Sequence, residues 1–180
     1  MALDLLLFQF FYQIAERLSF FNFVLVSLAV YLPWLVGAFA LWLLLSEKGR
    51  RARIHDALFT ALVLLLSRGV IAEIVGFLID RGRPYEVLGL KPLFTASGGS
   101  FPSGHAALLF AVAFAMWHVR REWALWFFVA AAVVSLARVA SGVHWPSDIV
   151  AGFLIALVSF LAAKWLVSRR GKAEGGRRVV

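Results

Sequence analysis

Three short groups of polar residues interrupt an otherwise apolar sequence, and their residue types suit phosphate chemistry. In chain order they are Arg83-Pro84, Pro102-Ser103-Gly104-His105, and Arg138 followed by His144 and Asp148. Cleavage of a phosphate ester or anhydride needs cationic donors for the phosphoryl oxygens, a nucleophile for phosphorus and an acid for the leaving oxygen. These side chains supply all three. The groups therefore predict a phosphate-handling site that needs no metal and no other cofactor.

The arginines and the start of the second group are suited to binding the phosphate itself. Arg83 and Arg138 can each present paired N–H donors to phosphoryl oxygens. Pro102 favours the first turn of a helix, so the Ser103 hydroxyl and the backbone N–H groups near Gly104 are expected to point at an anion. The predicted phosphate-binding residues are Arg83, Ser103, Gly104 and Arg138.

His144 and Asp148 have the spacing of a reactive imidazole and the carboxylate that orients it. They lie four positions apart, so the carboxylate can fix one tautomer and leave the other ring nitrogen free to attack. A histidine that stands alone in such a sequence is more simply structural, and we assign His55 and His118 to the membrane interface. His105 and His144 fall within motifs on one predicted membrane face, which favours a catalytic role for both.

The composition indicates a membrane protein. Of the 180 residues, 62% are hydrophobic and 16% are charged, which departs in both directions from soluble domains. Cysteine is absent, which excludes disulfides, thiolate metal sites and cysteine nucleophiles. The net charge of +8 would suit nucleic acid, but most basic residues flank apolar runs. We therefore expect membrane lipids as the surroundings and no nucleic-acid partner.

Apolar runs of spanning length predict an all-α fold, a polytopic membrane helix bundle that forms one domain over residues 1–180. About five transmembrane helices are expected, at 20–45 with a kink at Pro33, 57–79, 103–119, 123–138 and 147–168. A loop rich in glycine, proline and charge covers 80–101, and residues 169–180 form a basic tail.

Residues 1–18 are predicted to form an amphipathic helix that lies in the membrane interface. Gln9, Gln13, Glu16 and Arg17 fall within one arc of such a helix, and leucine and phenylalanine fill the rest. Asp4 lies off that arc, which leaves two alternatives: the segment begins the first span, or it crosses the membrane as a sixth helix.

Lysine and arginine counts in alternate loops predict the orientation of the bundle, because positive flanks stay in the cytoplasm. One side carries the lysines and arginines within 48–53, at 120–121 and in the tail. The other side carries fewer basic residues: Arg81, Arg83, Lys91 and Arg138. The predicted site therefore lies on the outer face, periplasmic or extracellular, of the plasma (inner) membrane.

Arg68 and Glu73 are two charged residues inside the predicted span 57–79. An arginine at mid-membrane costs about 2.5–3.5 kcal/mol on insertion scales, so each residue requires a partner or water. Five positions apart, they lie about 140° round an α-helix, which makes a direct pair awkward. Either residue can instead meet another helix or a neighbouring chain, and we favour such structural pairing over a role in a substrate path.

The three groups resemble the signature of the type 2 phosphatidic acid phosphatase superfamily. That signature is a lysine and an Arg-Pro pair, then Pro-Ser-Gly-His, then Ser-Arg, histidine and aspartate. The resemblance implies that His144 forms a phosphohistidine, that Asp148 orients it and that His105 protonates the leaving group. It also implies that Arg83, Ser103, Gly104 and Arg138 bind the phosphoryl oxygens and that no cofactor takes part.

Two positions depart from that signature. The lysine expected seven residues before Arg83 is replaced by Gly76, and the serine before Arg138 is Ala137. Bacterial undecaprenyl pyrophosphate phosphatases are the members most similar to this chain, since some of them also lack the lysine. Lys91 or Arg81 in the outer loop is the expected replacement for the lost charge.

Three functions follow as hypotheses. The first is hydrolysis of undecaprenyl diphosphate to the monophosphate and phosphate, a step of cell-wall biogenesis. The second keeps the chemistry on another lipid phosphate: phosphatidylglycerophosphate, phosphatidic acid or a lipid A phosphate. The third is a lipid transporter that uses Arg68 and Glu73 as a relay.

Overall fold

The structure is a computed structural model that describes residues 2–175. Across that range the backbone forms helices and loops without a β-strand. The helices are α1 (Ala2–Arg17), α2 (Asn22–Val30), α3 (Leu32–Leu45), α4 (Arg50–Leu64), α5 (Ala72–Leu78), α6 (Pro84–Val87), α7 (Gly104–Val119), α8 (Arg121–Ala140) and α9 (Pro146–Gly175). The all-α prediction is confirmed.

Five apolar helical segments occupy the predicted spans. Three are long and apolar enough to cross a membrane singly: Arg50–Leu78, Arg121–Ala140 and Pro146–Arg169. The pair α2 and α3 passes the same test together, and α7 is a shorter apolar helix of 16 residues. The chain is therefore an integral membrane protein built as a helical bundle.

The predicted kink at Pro33 is confirmed. Helix α2 ends at Val30 and α3 begins at Leu32, with a bend of 40° between their axes. Pro33 lies in the first turn of α3, where a missing backbone N–H leaves no hydrogen bond unmade. The bend therefore lies at a helix start, a position at which proline is tolerated.

Two predicted boundaries were wrong, and one predicted loop contains a helix. The second span begins at Arg50 rather than 57, because the Arg50–Arg53 run contains good helix formers that extend α4 by two turns. The outer loop 80–101 contains the short helix α6, which begins at Pro84. Helix α9 runs through Gly175 into the predicted tail 169–180, whose residues 176–180, like Met1, lie outside the described range.

Between α4 and α5 the helix widens into a π-helical segment at Leu65–Ile71. A π-helix repeats its hydrogen bonds every five residues, so residues five apart share one face. Arg68 Nη1 consequently contacts Glu73 Oε1 in a direct ion pair. The expectation that this pair is awkward assumed regular α-helix geometry and was wrong.

Helix α7 lies at the centre of the bundle and begins well inside it. Ten of its 16 residues are buried, and it packs between α8 and α9. The loop before it runs down beside α5: Gly99 lies against Asp80 and Arg81, and Gly76 lies against Phe101 and Pro102. At the end of this loop, Gly104, the first residue of α7, lies against the Arg68 side chain. Because the loop 99–103 enters the bundle before α7 begins, α7 is short. A hollow is left at the N-terminal end of α7.

Helix α1 contacts, along its length, segments at the end of the bundle that carries His144. Asp4 accepts hydrogen bonds from Ser147, and the Tyr12 hydroxyl donates to the Lys91 carbonyl at 2.9 Å. Between them, Phe8 packs on Trp145 with ring centroids 5.3 Å apart. Contacts to one membrane face from Asp4 to Tyr12 favour the interfacial arrangement over a crossing helix.

The contact between α7 and α9 depends on a glycine. A Cβ at Gly152 would lie 2.8 Å from the Ala106 Cβ and 2.9 Å from both the Ala107 nitrogen and the Ser103 oxygen. Two of these atoms belong to the backbone, so the helices would have to move apart. Small residues allow this close approach inside membranes.

We predict that Gly152→Ala destabilises the protein by about 1–3 kcal/mol, the usual cost of overpacking. Thermal unfolding in detergent measures it. Gly37→Ala is the matched control, because Gly37 also lies within an apolar helix and a Cβ there meets nothing within 4 Å. Equal melting temperatures for the two variants would contradict the packing argument.

Candidate active site

The hollow above α7 is a cavity of about 750 Å³. Its wall comes from the π-helical segment and α5, the 94–99 loop, the start of α7 and the end of α8. The titratable side chains on this wall are those of Arg68, Glu73, Arg83, His105, Arg138 and His144. The structure thus brings the three sequence groups to one cavity, and it adds Arg68 and Glu73 to them. His55 and His118 belong to the opposite end of the bundle, where the His118 ring lies 4.5 Å from that of Phe59.

His144 is held with one ring nitrogen engaged. Its Nδ1 lies 2.9 Å from the Ser100 carbonyl oxygen and 3.5 Å from Asp148 Oδ2, and only 3% of the residue is exposed. A carbonyl oxygen can only accept a hydrogen bond, so Nδ1 carries the proton. In the neutral ring the lone pair is then on Nε2. This tautomer leaves the Nε2 lone pair without a hydrogen-bond partner in the described part of the chain, on a residue that lines the cavity.

Asp148 is fully buried and accepts several hydrogen bonds. The Trp145 backbone N–H donates to Oδ2 at 2.8 Å, and the Ser100 hydroxyl donates to the same atom. Arg81 donates to Oδ1 at 2.7 Å. Asp148 therefore anchors the segment that carries His144, while the Ser100 carbonyl makes the shorter contact with the imidazole. Nothing in the sequence pattern pointed to Ser100.

Arg81 faces away from the cavity and links Asp148 to helix α1. Its Nη2 lies 2.6 Å from Asp4 Oδ2, and its Nη1 donates to both Ser147 and Asp148. Burial alone would raise the pKa of Asp4, but hydrogen bonds from Arg81 and Ser147 outweigh it and hold that pKa below its usual value. The Asp4 carboxylate therefore stays charged. This differs from the expected phosphate contact of Arg81.

Lys91 also lies apart from the histidines. It lines a second cavity, of about 630 Å³, beside Tyr12 and Glu16 of α1. Neither Lys91 nor Arg81 is among the described residues that line the cavity of His144. Gly76 does line that cavity, and a Cβ there would make only ordinary contacts, the nearest at 3.5 Å. The position of the lost lysine is therefore a glycine on the cavity wall, and neither predicted substitute is among the described residues that line this cavity.

Arg83 is buried, and most of its guanidinium N–H groups donate hydrogen bonds to backbone carbonyl oxygens. Its guanidinium donates to the carbonyls of Ser97, Gly98, Gly99 and Val143. An arginine has five N–H donors, so four of these bonds leave one hydrogen, on Nη1, for a ligand. Arg83 thus fixes the shape of the 97–99 loop and joins it to the His144 segment.

Arg138 has donors without partners. It is 5% exposed, its Nη1 makes one long hydrogen bond of 3.4 Å to the Ala29 carbonyl, and its Nε has no partner in the described part of the chain. The guanidinium carbon lies 5.5 Å from the centre of the Phe94 ring. A buried cation with unused donors is unfavourable until an anion arrives. This geometry suits a phosphate ligand.

The residues at the start of α7 differ in whether they reach the cavity. Ser103 is fully buried and caps the helix, with its hydroxyl oxygen 3.4 Å from the Ala106 nitrogen, and it does not appear among the cavity-lining residues described. Gly104 and His105 do line the cavity. The positive end of the α7 dipole therefore faces the same space as Arg138 and His144.

Comparison with known proteins finds a matching family. Residues 56–172 match the model of the PAP2 superfamily. The Bacitracin transport permease protein BcrC of Bacillus licheniformis is 30% identical over 164 residues, which cover 88% of this chain and 77% of that protein. The putative undecaprenyl-diphosphatase YbjG of Escherichia coli is 32% identical over 146 residues, or 79% and 69% of the two chains.

A solved structure shares the fold. Aquifex aeolicus LpxE superposes with a TM-score of 0.75 at 23% identity, over 91% of this chain and 95% of that one. At this identity the likeness concerns the arrangement of helices alone.

The burial of His144 predicts the pH at which its imidazole titrates. Burial lowers its pKa from the ordinary value of 6.5, and the Asp148 carboxylate opposes that shift in part. We expect a histidine NMR titration in nanodiscs, assigned with His144→Gln, to place this pKa below 6.5. Asp148→Asn removes the opposing charge and lowers the pKa further. A value above 6.5 in the wild type, or an increase in the variant, would refute the assigned environment.

Proposed function

Because this chain belongs to the PAP2 superfamily, we propose that it hydrolyses undecaprenyl diphosphate to undecaprenyl phosphate and phosphate through a phosphohistidine at His144. The chain is a membrane lipid phosphatase, and its relatives include proteins named as undecaprenyl-diphosphatases. The observation that carries the proposal is the cavity that both His144 and the incompletely paired Arg138 line.

In the first step Nε2 of His144 attacks the terminal phosphorus of the diphosphate. The bond from that phosphorus to the bridging oxygen breaks, and His105, in its protonated form, gives its proton to the departing lipid phosphate. The phosphorylated imidazole keeps its Nδ1 proton and becomes cationic. Asp148 and the Ser100 carbonyl lie beside Nδ1 and stabilise that positive charge.

In the second step water attacks the phosphohistidine. Neutral His105 takes a proton from the water, the bond from phosphorus to Nε2 breaks, and phosphate leaves. Arg138, the remaining Arg83 donor and the α7 N-terminus face the phosphoryl oxygens in both transition states. The charge-bearing groups are cationic side chains, so the proposed reaction proceeds without a metal, and an assay with chelator tests this.

A lipid substrate is supported by the rim of the cavity. Trp34 and Phe77 line it and are 78% and 89% exposed, on helices whose outer surfaces are apolar. A prenyl chain can remain in the bilayer while its diphosphate enters the cavity. The names of the relatives and the absent lysine at Gly76 favour undecaprenyl diphosphate over the other lipid phosphates.

We place the site on the outer face of the plasma membrane. The basic residues of the Arg50–Arg53 run and Arg120 lie at the end of the bundle opposite His144, where Arg120 pairs with Glu47 at 2.6 Å. Cytoplasmic loops carry such an excess of positive charge. In this orientation the product would re-enter the supply of carrier lipid for cell-wall synthesis.

His144→Ala should abolish phosphate release, and Arg138→Ala should reduce kcat/KM on the order of a hundredfold, as loss of a charge partner in the transition state does. The assay uses purified protein in detergent with chelator and a panel of prenyl diphosphates and lipid phosphates. Preference for a different lipid phosphate would redirect the substrate proposal. Wild-type rates in either variant would refute the assigned chemistry.

One relative's name includes transport, and transport is the competing function. Bacitracin or lipid movement that persists in His144→Ala, with no phosphate release by the wild type, would favour it.

Arg81 acts in this proposal through Asp148 rather than on substrate. We expect Arg81→Ala to lower kcat on the order of tenfold to a hundredfold with little change in KM, because the His144 segment loses its alignment. Asp4→Asn should produce a smaller loss of the same kind. The control is Glu16→Gln, which changes the charge of an exposed residue of α1. An effect confined to KM would show that Arg81 contacts substrate instead.

A further inference from the structure

Arg68 contributes a cation to the cavity from a different wall than Arg83 and Arg138. Arg83 donates to the Val143 carbonyl and Arg138 lies in the last turn of α8, whereas Arg68 belongs to the π-helical segment. Its side chain lies across the first residue of α7, so that a Cβ at Gly104 would be 2.8 Å from Nε and 3.2 Å from Cζ. Glycine at position 104 therefore makes room for the guanidinium next to His105.

Glu73 holds Arg68 in this position. The π-helical turn places the two side chains on one face, and both line the cavity. Arg68 retains an exposed side-chain fraction of 45%, so its guanidinium is not enclosed by protein. An arginine in an apolar span, exposed to a polar cavity and held by one carboxylate, has donors available for a second anion.

The positions of the cations match the two phosphates of a diphosphate. In the proposed mechanism the phosphoryl group that is attacked lies at His144, in the cavity that Arg138 and Arg83 also line. The phosphate that leaves with the lipid must lie at His105, which protonates it. Arg68 crosses Gly104, the neighbour of His105, and therefore places a cation beside the leaving phosphate.

We propose that Arg68 binds the leaving phosphate and thereby makes the site prefer diphosphates to monophosphates. This inference rests on the proposed function, since it assigns His144 and His105 their roles. Glu73 acts as the counterion of Arg68 in the empty cavity. When substrate binds, the leaving phosphate shares the guanidinium with that carboxylate, and Glu73 limits how tightly the phosphate is held.

The test compares farnesyl diphosphate with farnesyl monophosphate as probes for the purified protein. In Arg68→Gln the ratio of kcat/KM for the diphosphate to that for the monophosphate should fall about 10- to 100-fold, the range for loss of a hydrogen bond to a charged group. Arg51→Gln is the matched control: it removes the same charge from an exposed residue at the far end of the same long helix. This control should retain the wild-type ratio.

Two further variants keep the test decisive if Arg68→Gln is unstable. Gly104→Ala displaces the guanidinium without removing its charge and should lower the same ratio by a smaller factor. Glu73→Gln removes the competing carboxylate and should lower KM for the diphosphate. Equal loss on both probes, or no loss on either, in Arg68→Gln and Gly104→Ala would overturn the inference and leave the phosphatase intact. A wild type that hydrolyses neither probe would overturn the proposed function as well.

Discussion

A carboxylate with no exposed surface, Asp148, ties the site to the fold. A buried negative charge is tolerated only when donors surround it, and the donors here come from Arg81, Ser100 and the Trp145 backbone. The Asp148 carbonyl also accepts a hydrogen bond from the Ser103 nitrogen at 3.1 Å. One residue therefore positions the His144 segment and fixes where α7 begins.

The second constraint is that cations in an apolar bundle must share a polar space. Arg68, Arg83 and Arg138 each belong to a different segment, yet all three reach one cavity. Their states differ: Arg83 is largely satisfied by carbonyls, Arg68 is paired with Glu73, and Arg138 is left with unused donors. A phosphate group is the anion that such an incompletely satisfied set recognises best. Arg138 and Arg68 are thus the arginines whose N–H donors remain most available to an anion.

The sequence predicted the features that depend on local pattern. The length of the apolar runs predicted the helical bundle, and Pro33 predicted the bend between α2 and α3. The motif residues line one cavity as expected: Gly104, His105, Arg138 and His144. The rest depends on contacts between distant segments or on irregular backbone. The π-helical turn that pairs Arg68 with Glu73 has no sequence periodicity, and the links from Arg81 to Asp4 and from Ser100 to Asp148 join residues 77 and 48 positions apart. The helix-capping role of Ser103 and the loop-fixing role of Arg83 likewise became visible only in three dimensions.

The central claim is that His144 carries the phosphoryl group between the two steps. Rapid alkaline quenching of a single turnover with a labelled diphosphate, followed by peptide mass spectrometry, tests it directly, because phosphohistidine survives base and is lost in acid. We predict label on the peptide that contains His144, with chelator present throughout. Turnover that proceeds while no label accumulates on this peptide in a kinetically competent time, or label on another residue, would contradict the account.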